Sequence, residues 1–368
     1  MTGEEHVYYM KQAVELAQKA QGQTSPNPLV GAIIVKDGKI IGKGYHKKAG
    51  AAHAERMALD EAGNLARGAT LYVTLEPCCT VGRTGPCTEA IYKAGIRQVQ
   101  VGMIDPNQDV NGKGIRELKR LAVDVVEGVS ERECKELNEY WTYWIRNQLP
   151  FVLLKTASTL DGKIATYKGE SKWITSVESR EVVQGLRRKV DAVLVGIGTV
   201  LADNPTLTVH GETDKEHKNP LRVVVDSKLR ISPRAKILKV DDRTPTMVVT
   251  TRKSTQKKRK ALERKGVQVL VVPDKRGRVS LVSLLKHLGK EGIVSVLVEG
   301  GAEVNASFLK EKLTHKVYAF IAPRILGDDA LGAYSNLGFG DLDQAIKLKH
   351  LKMEPVGSDI LIQGYVNV

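Results

Sequence analysis

Short apolar runs rich in β-branched residues alternate with stretches of helical period along nearly the whole chain, and this confines it to the α/β class. Residues 5–21 carry Val7, Met10, Val14, Leu16 and Ala17 at helical spacing. LVGAIIV, KDGK and IIGKGY then read as a strand, a turn at Asp37-Gly38 and a second strand. Helices over about 53–62, 86–94, 112–121 and 130–146 are interleaved with the strands TLYVTL, QVQVGM and VDVVEG. The pattern stops at Asn147-Gln148-Leu149-Pro150 and restarts with FVLLKTA, which places a domain boundary between 1–148 and 149–368. In the second part DAVLVG, LRVVVD, TMVVTT, VQVLVV, IVSVLVEGG and KVYAFIA read as strands with helices between several of them. No period of 20–50 residues recurs, which excludes a repeat architecture.

Composition narrows the function classes. Hydrophobic residues make up 42% and charged residues 27%, values of a chain with a packed core. No run of eighteen apolar residues exists to span a membrane. The opening MTGEEHVYYMKQAVELAQKA carries acids in a helical pattern where a secretory signal has a basic and then an apolar region, so a cytoplasmic protein is expected. The 56 basic and 42 acidic residues leave a net charge of +14, which favours an anionic partner: nucleic acid, a phosphorylated metabolite or a dinucleotide. KKRK at 257–260 reads as the solvated face of a helix, with a nucleic-acid patch as the alternative. Trp141, Tyr143 and Trp144 read as helix packing, with a base-stacking platform as the alternative.

Chemistry concentrates in the first domain. His53-Ala54-Glu55 is followed by Pro77-Cys78 and, after eight intervening residues, by Cys87. An imidazole and two thiolates suit zinc, and three protein ligands leave a fourth tetrahedral position for water. Zinc lowers the pKa of that water from about 15.7 towards about 7. A carboxylate outside the ligand set is then needed to carry protons to a leaving amine, and Glu55 fits that need. H-x-E…P-C-x-x-C is the signature of zinc deaminases, and this chain keeps its order but has eight residues between the cysteines where nucleoside and transfer-RNA deaminases usually have two. Cys79 competes with Cys78, but the Pro-Cys pairing favours Cys78; Cys134 reads as a buried helical thiol.

The eight-residue spacer CTVGRTGP resembles the riboflavin-pathway pyrimidine deaminases, whose motif is close to P-C-x-H-x-G-x-T-P-P-C. The resemblance runs through Ser25-Pro26-Asn27-Pro28-Leu29-Val30-Gly31-Ala32, Gly44-Tyr45-His46, Asp105-Pro106-Asn107 and Gly112-Lys113-Gly114. Thr80 stands where this family has His and Gly85 where it has Pro; neither change removes a ligand. The resemblance implies a cytidine-deaminase-like three-layer α/β/α domain holding one zinc per chain. It also implies that Asn27, His46 and Arg83 lie near the ribose phosphate of a phosphoribosylaminopyrimidine.

The second domain contains neither G-x-G-x-x-G nor a P-loop, and by its residues alone reads as an α/β domain that either binds a nucleotide through free backbone amides or is purely structural. KTASTLDGKIAT at 155–166, SKWITS at 171–176, GIGTVLADNP at 196–205, RVVVDS at 222–227 and VEGG at 298–301 resemble the reductase of the same pathway. The order, deaminase then reductase, is that of the bifunctional riboflavin-synthesis enzymes. The resemblance implies a dihydrofolate-reductase-like α/β fold and NADPH as cofactor. Ser171, Arg187, Leu207 and the phosphate-site residue His210 would contact substrate, with Lys155 a further polar contact and Glu299 at the reacting end. Ala157, Trp173, Thr199, Asp203, Ser227, Gly300 and Gly301 would line the cofactor. His210 replaces an Arg of the family, and near pH 7 a histidine of ordinary pKa is mostly neutral. Thr250, Thr251 and Arg252 fit a 2′-phosphate contact or, equally, a helix cap with an exposed Arg. The reading is a cytoplasmic, homo-oligomeric enzyme with a small-molecule substrate and no nucleic-acid or membrane partner. A nucleic-acid deaminase, or a nucleic-acid-binding protein with a structural zinc, remains the competing reading.

Overall fold

The computed structural model describes residues 2–80, 85–209 and 219–366. The chain divides into two compact units, Met1–Gln148 and Leu149–Val368.

In the first unit α1 (Gly3–Gln18) precedes the hairpin β1 (Gly31–Lys36) and β2 (Lys39–Tyr45). Asp37 and Gly38, both at positive φ, make its two-residue turn. Then come α2 (Ala54–Ala62), β3 (Thr70–Val73), α3 (Cys87–Lys93), β4 (Gln98–Val101), α4 (Lys113–Arg120), β5 (Asp124–Glu127), α5 (Glu131–Leu137) and α6 (Glu139–Asn147). The sheet order is β2-β1-β3-β4-β5, antiparallel on both sides of β1 and parallel from β3 onward. One face buries Ala32, Ile34, Leu71, Val73, Val99 and Val101 under α2, α3 and α4. On the other, α1 comes so near that a Cβ on Gly31 would strike the Ala13 carbonyl. The expected single helix over 130–146 is two helices. Asn138, 2% exposed, breaks it: its amide exchanges two 2.9 Å hydrogen bonds with the backbone of Leu29, as acceptor from N–H and donor to the carbonyl.

The second unit begins with β6 (Phe151–Thr159), β7 (Lys163–Ala165), α7 (Val177–Lys189), β8 (Ala192–Gly196), α8 (Ile197–Asp203) and β9 (Leu221–Val225). It continues with β10 (Thr246–Thr250), α9 (Gln256–Glu263), β11 (Gln268–Val271), the ribbon β12 (Asp274–Lys275) and β13 (Arg278–Val279), α10 (Leu281–Lys290) and β14 (Ser295–Val298). α11 (Ala302–Lys310), β15 (Lys316–Ala322), β16 (Leu331–Gly332, paired with β7), β17 (Leu348–Val356) and β18 (Asp359–Val366) complete it. Nine strands form one sheet in the order β11-β10-β9-β8-β14-β6-β15-β18-β17. It is parallel from β11 to β15, and consecutive residues such as Val193, Leu194 and Val195 are all buried, as a sheet covered on both faces requires. The antiparallel β17–β18 hairpin, turned at Gly357 with positive φ, was not among the expected strands. Among the described residues no helix is long and apolar enough to cross a membrane.

Candidate active sites

Three chain segments build the first site. His53 caps the N-terminus of α2, and Glu55 lies in its first turn. This helix can lie on β2 because Gly42 and Gly44 carry no Cβ; one at Gly44 would collide with the Ala54 carbonyl. Cys78 follows β3, and Cys87 opens α3 behind Pro86. His53 Nδ1, Cys78 Sγ and Cys87 Sγ all lie within 4.8 Å of one another, with Nδ1 3.2 Å from the Cys87 sulfur and 3.4 Å from the Cys78 sulfur. Tetrahedral zinc with bonds of about 2.3 Å to sulfur and 2.0–2.1 Å to nitrogen sets its donors roughly 3.5 Å apart, so this donor set fits zinc. Cys79 stands outside the cluster.

Electrostatics at the cluster follow from its burial. The Cys87 thiol donates to Cys78 and holds Cys78 down at about 4, as a thiolate, while that bond and burial push Cys87 up. A bound metal would take the place of the shared proton. Glu55 is 3% exposed; burial, and then the Cys78 thiolate, push its carboxyl above the ordinary range. A carboxyl so placed holds its proton to higher pH than an exposed one, which suits a group that takes up and gives back a proton.

Asn27 and His46 stand beside this cluster. The Asn27 amide Nδ2 lies 3.0 Å from His46 Nε2, and His46 Nδ1 lies 3.1 Å from the Ala52 carbonyl, which fixes the Nδ1–H tautomer. Burial lowers the His46 pKa and keeps it neutral; its ring meets that of His53 edge-on with centroids 5.9 Å apart. Arg83 lies outside the described residues.

In the second unit the carboxyl ends of β14, β8, β9 and β10 line up in register, so residues following these strands share one edge of the sheet. That edge is where open parallel sheets bind ligands. Glu299, just past β14, takes a bidentate pair from Arg187 of α7, Nε at 2.6 Å and Nη2 at 3.0 Å. Lys155 Nζ of β6 stands 3.8 Å from the same carboxylate, and the three side chains are 7%, 13% and 17% exposed respectively. Burial opposes the ionised Glu299, but Arg187 and then Lys155 override it and hold its carboxyl below the usual range. Burial lowers Lys155 despite the neighbouring Glu299. Ser171 Oγ donates to Asp203 Oδ1 at 3.0 Å. A Cβ on Gly301 would stand 3.3 Å from Thr199 Oγ1, so the glycine leaves a recess at the start of α11. At the end of β10, three strands from β14, the buried Thr250 hydroxyl has no hydrogen-bond partner among the described residues. Glycine-lined backbone at a helix start on this edge fits the phosphates of a dinucleotide.

Residues 3–103 match the cytidine and deoxycytidylate deaminase zinc-binding region, and residues 150–362 match the RibD C-terminal domain. The riboflavin biosynthesis protein RibD of Aquifex aeolicus is 46% identical over 354 residues, 96% of each chain. The chain belongs to the RibD family. RibD of Escherichia coli is 39% identical across 96% of this chain and 98% of its own. The solved RibD of Acinetobacter baumannii (form 1) superposes with a TM-score of 0.90 at 38% identity, covering 100% of both chains. A Thermotoga maritima diaminohydroxyphosphoribosylaminopyrimidine deaminase/5-amino-6-(5-phosphoribosylamino)uracil reductase gives 0.86 at 38% identity over 99% of each. The chain is thus a bifunctional deaminase–reductase of the RibD type, with a cytidine-deaminase-like domain before the RibD reductase domain.

Set against the family expectations, the remaining residues are scattered along the same edge. Ala157 is half-buried on β6, two residues from Lys155, and Leu207 is buried with positive φ. Ser227 Oγ accepts from the Val279 amide, and its carbonyl accepts from Thr251 Oγ1 at 2.8 Å. Gly300 packs against Val304. Trp173 is 61% exposed, with the Arg180 guanidinium 4.4 Å from its ring centre. Arg252 is exposed, and His210 lies outside the described residues.

Sequence reasoning missed one carboxylate. Glu76, 4% exposed and two residues before Cys78, accepts four backbone N–H groups: Asp105 and Gly112 on Oε2, Gly114 and Ile115 on Oε1, at 2.8–3.2 Å. It ties the zinc-ligand turn to the start of α4. Only the glycines of Gly112-Lys113-Gly114 hinted at it: a Cβ on Gly114 would strike the Pro77 carbonyl.

Proposed function

We propose that the chain catalyses two consecutive steps on one phosphoribosylaminopyrimidine. The first unit hydrolytically removes the 2-amino group of 2,5-diamino-6-(5-phosphoribosylamino)pyrimidin-4(3H)-one. The second reduces the ribosyl side chain to ribityl with NADPH, giving 5-amino-6-(5-phosphoribitylamino)uracil. The observation that carries the reading is the buried, non-ligand Glu55 beside the His53, Cys78 and Cys87 donor set. One zinc held by those three donors would supply an activated water for attack on the ring carbon that bears the amine. Glu55 accepts the proton of that water and delivers one to the departing ammonia, so water enters and ammonia leaves with charge balanced. Asn27 and the neutral His46 present polar atoms to the substrate beside the ligands.

In the second unit NADPH would supply the hydride for the sugar C1. Glu299, Arg187 and Lys155 form the charged floor that orients the opened sugar, and a proton from this cluster completes the reduction. Ala157, Trp173, Thr199, Asp203, Ser227, Arg252, Gly300 and Gly301 border the cofactor; Ser171, Leu207 and His210 face the substrate, as does Arg83 in the first unit. The protein works as a homo-oligomer in the cytoplasm, without a nucleic-acid or membrane partner. Incubation with the aminopyrimidine ribonucleotide tests the reading. Ammonia should be released without NADPH, and the ribityl product should form only when NADPH is added. Turnover of RNA or single-stranded DNA in place of the ribonucleotide would overturn it.

A further inference from the structure

Most of the net charge sits in one place. Segments 228–239 and 252–265 contain thirteen Lys and Arg against the single acid Glu263, in a chain whose net charge is +14. All thirteen are exposed except Arg259, which is half-buried. The two segments lie side by side: Lys258 Nζ donates to the Leu229 carbonyl at 3.2 Å and Lys265 Nζ to the Pro233 carbonyl at 2.6 Å. Among the described residues, only Lys253 of this group is ion-paired, with Asp274 at 3.0 Å. Each segment starts where a strand of the ligand-binding edge ends, Lys228 following Ser227 beyond β9 and Arg252 following Thr251 beyond β10.

We propose that this basic face, centred on α9, is an electrostatic funnel that draws the dinucleotide phosphate to the reductase site and sets its rate of arrival. The inference rests on the reading of that edge as the NADPH site. A one-sign surface beside a ligand cleft raises association rates by roughly 10- to 1,000-fold without contacting the bound ligand. α9 starts at this edge and, as the crossover to the parallel β11, runs back along the sheet, so the face acts on the site from its near end through a field whose Debye length is about 10 Å at 0.1 M salt. Neither segment contains a Phe, Tyr or Trp, so the face lacks the stacking platforms by which proteins hold single-stranded nucleic acid.

The test is stopped-flow fluorescence of NADPH binding to the full chain and to the triple variant Lys257→Glu, Lys260→Glu, Arg264→Glu, whose positions lie outside the binding edge. The variant's association rate should fall about tenfold at low salt with its dissociation rate unchanged, and the difference should vanish at high salt. NADH lacks a phosphomonoester of roughly −1.5 to −2 charge and should be slowed much less. The wild-type association rate should itself drop with salt, a measurement independent of how the variant folds. Equal association rates for both proteins with NADPH, or no salt dependence in the wild type, would overturn the funnel. So would salt-sensitive binding of single-stranded RNA that the variant loses while its NADPH kinetics stay unchanged. If wild-type protein failed to bind NADPH at all, the cofactor reading itself would fall.

Discussion

Glu55 and the three metal donors lie close together but answer to different variants. Glu55→Gln keeps size while removing the proposed proton carrier, so zinc content should stay near one per chain while deamination falls by about 10²- to 10⁴-fold. Cys87→Ser should instead lose the metal and with it all deamination; metal analysis alongside ammonia release separates the two. At His315 burial is the dominant influence on a base: it pushes the ring down to about 4, with Val152 N–H donating to Nδ1 at 2.9 Å. The unfolded chain therefore takes up this proton first. The contribution to stability is complete above the ordinary pKa of about 6.5 and is lost as pH falls from there towards 4, at most about 3 kcal/mol. Urea unfolding at pH 7 and 4.5 should show a smaller drop for His315→Gln than for wild type; identical drops would refute it. Residues that act through a contiguous motif were legible in the sequence: His53, Glu55, Cys78 and Cys87 announce a chemistry by order and type. Glu76 was not, because its four donors come from residues 105–115, and nothing beside Pro77 signals them.

Elements were legible where burial imposes a period. The inner strands of both parallel stretches follow the apolar runs closely because they are buried, and the Asp37-Gly38 turn follows from residues that accept positive φ. The failures have local causes. Periodicity runs unbroken through 130–146, and only the tertiary bond between Asn138 and Leu29 divides the helix. β17 escaped notice because it is an edge: most of its residues are exposed, it carries Lys349, Lys352 and Glu354, and it contains Pro355. Such residues keep an edge from pairing with other chains, and they erase the alternation by which strands are recognised. A close approach supplies the prediction at this scale. Gly44→Ala would drive a methyl into the Ala54 carbonyl and lift the N-terminus of α2, which carries both His53 and Glu55. Destabilisation of about 1–3 kcal/mol by urea unfolding should accompany reduced zinc occupancy. A variant of full stability and full zinc content would show that the helix has room to move.

At the scale of the whole molecule, two chemistries use separate groups in separate units. Glu55→Gln should still reduce the sugar of an already deaminated substrate, and Asp203→Ala should spare ammonia release while impairing NADPH oxidation. Parallel assays, each with its own substrate, decide this; loss of both activities from one substitution in a folded, zinc-loaded protein would refute the two-site arrangement. Preference for NADPH over NADH should weaken in Arg252→Ala, and an unchanged ratio of kcat/KM values would return Arg252 to the surface. The nine-stranded sheet also has a history written into its order. β6 is the first strand of its unit to leave the ribosome, yet its two neighbours begin only at Ser295 and Lys316. Throughout the synthesis of that long intervening stretch the apolar segment FVLLKTA has no native partner, while the first unit already holds all the strands of its own sheet. A nascent chain of this protein therefore passes through a prolonged stage with the strands of one sheet complete and one apolar strand unpaired, a stage open to aggregation.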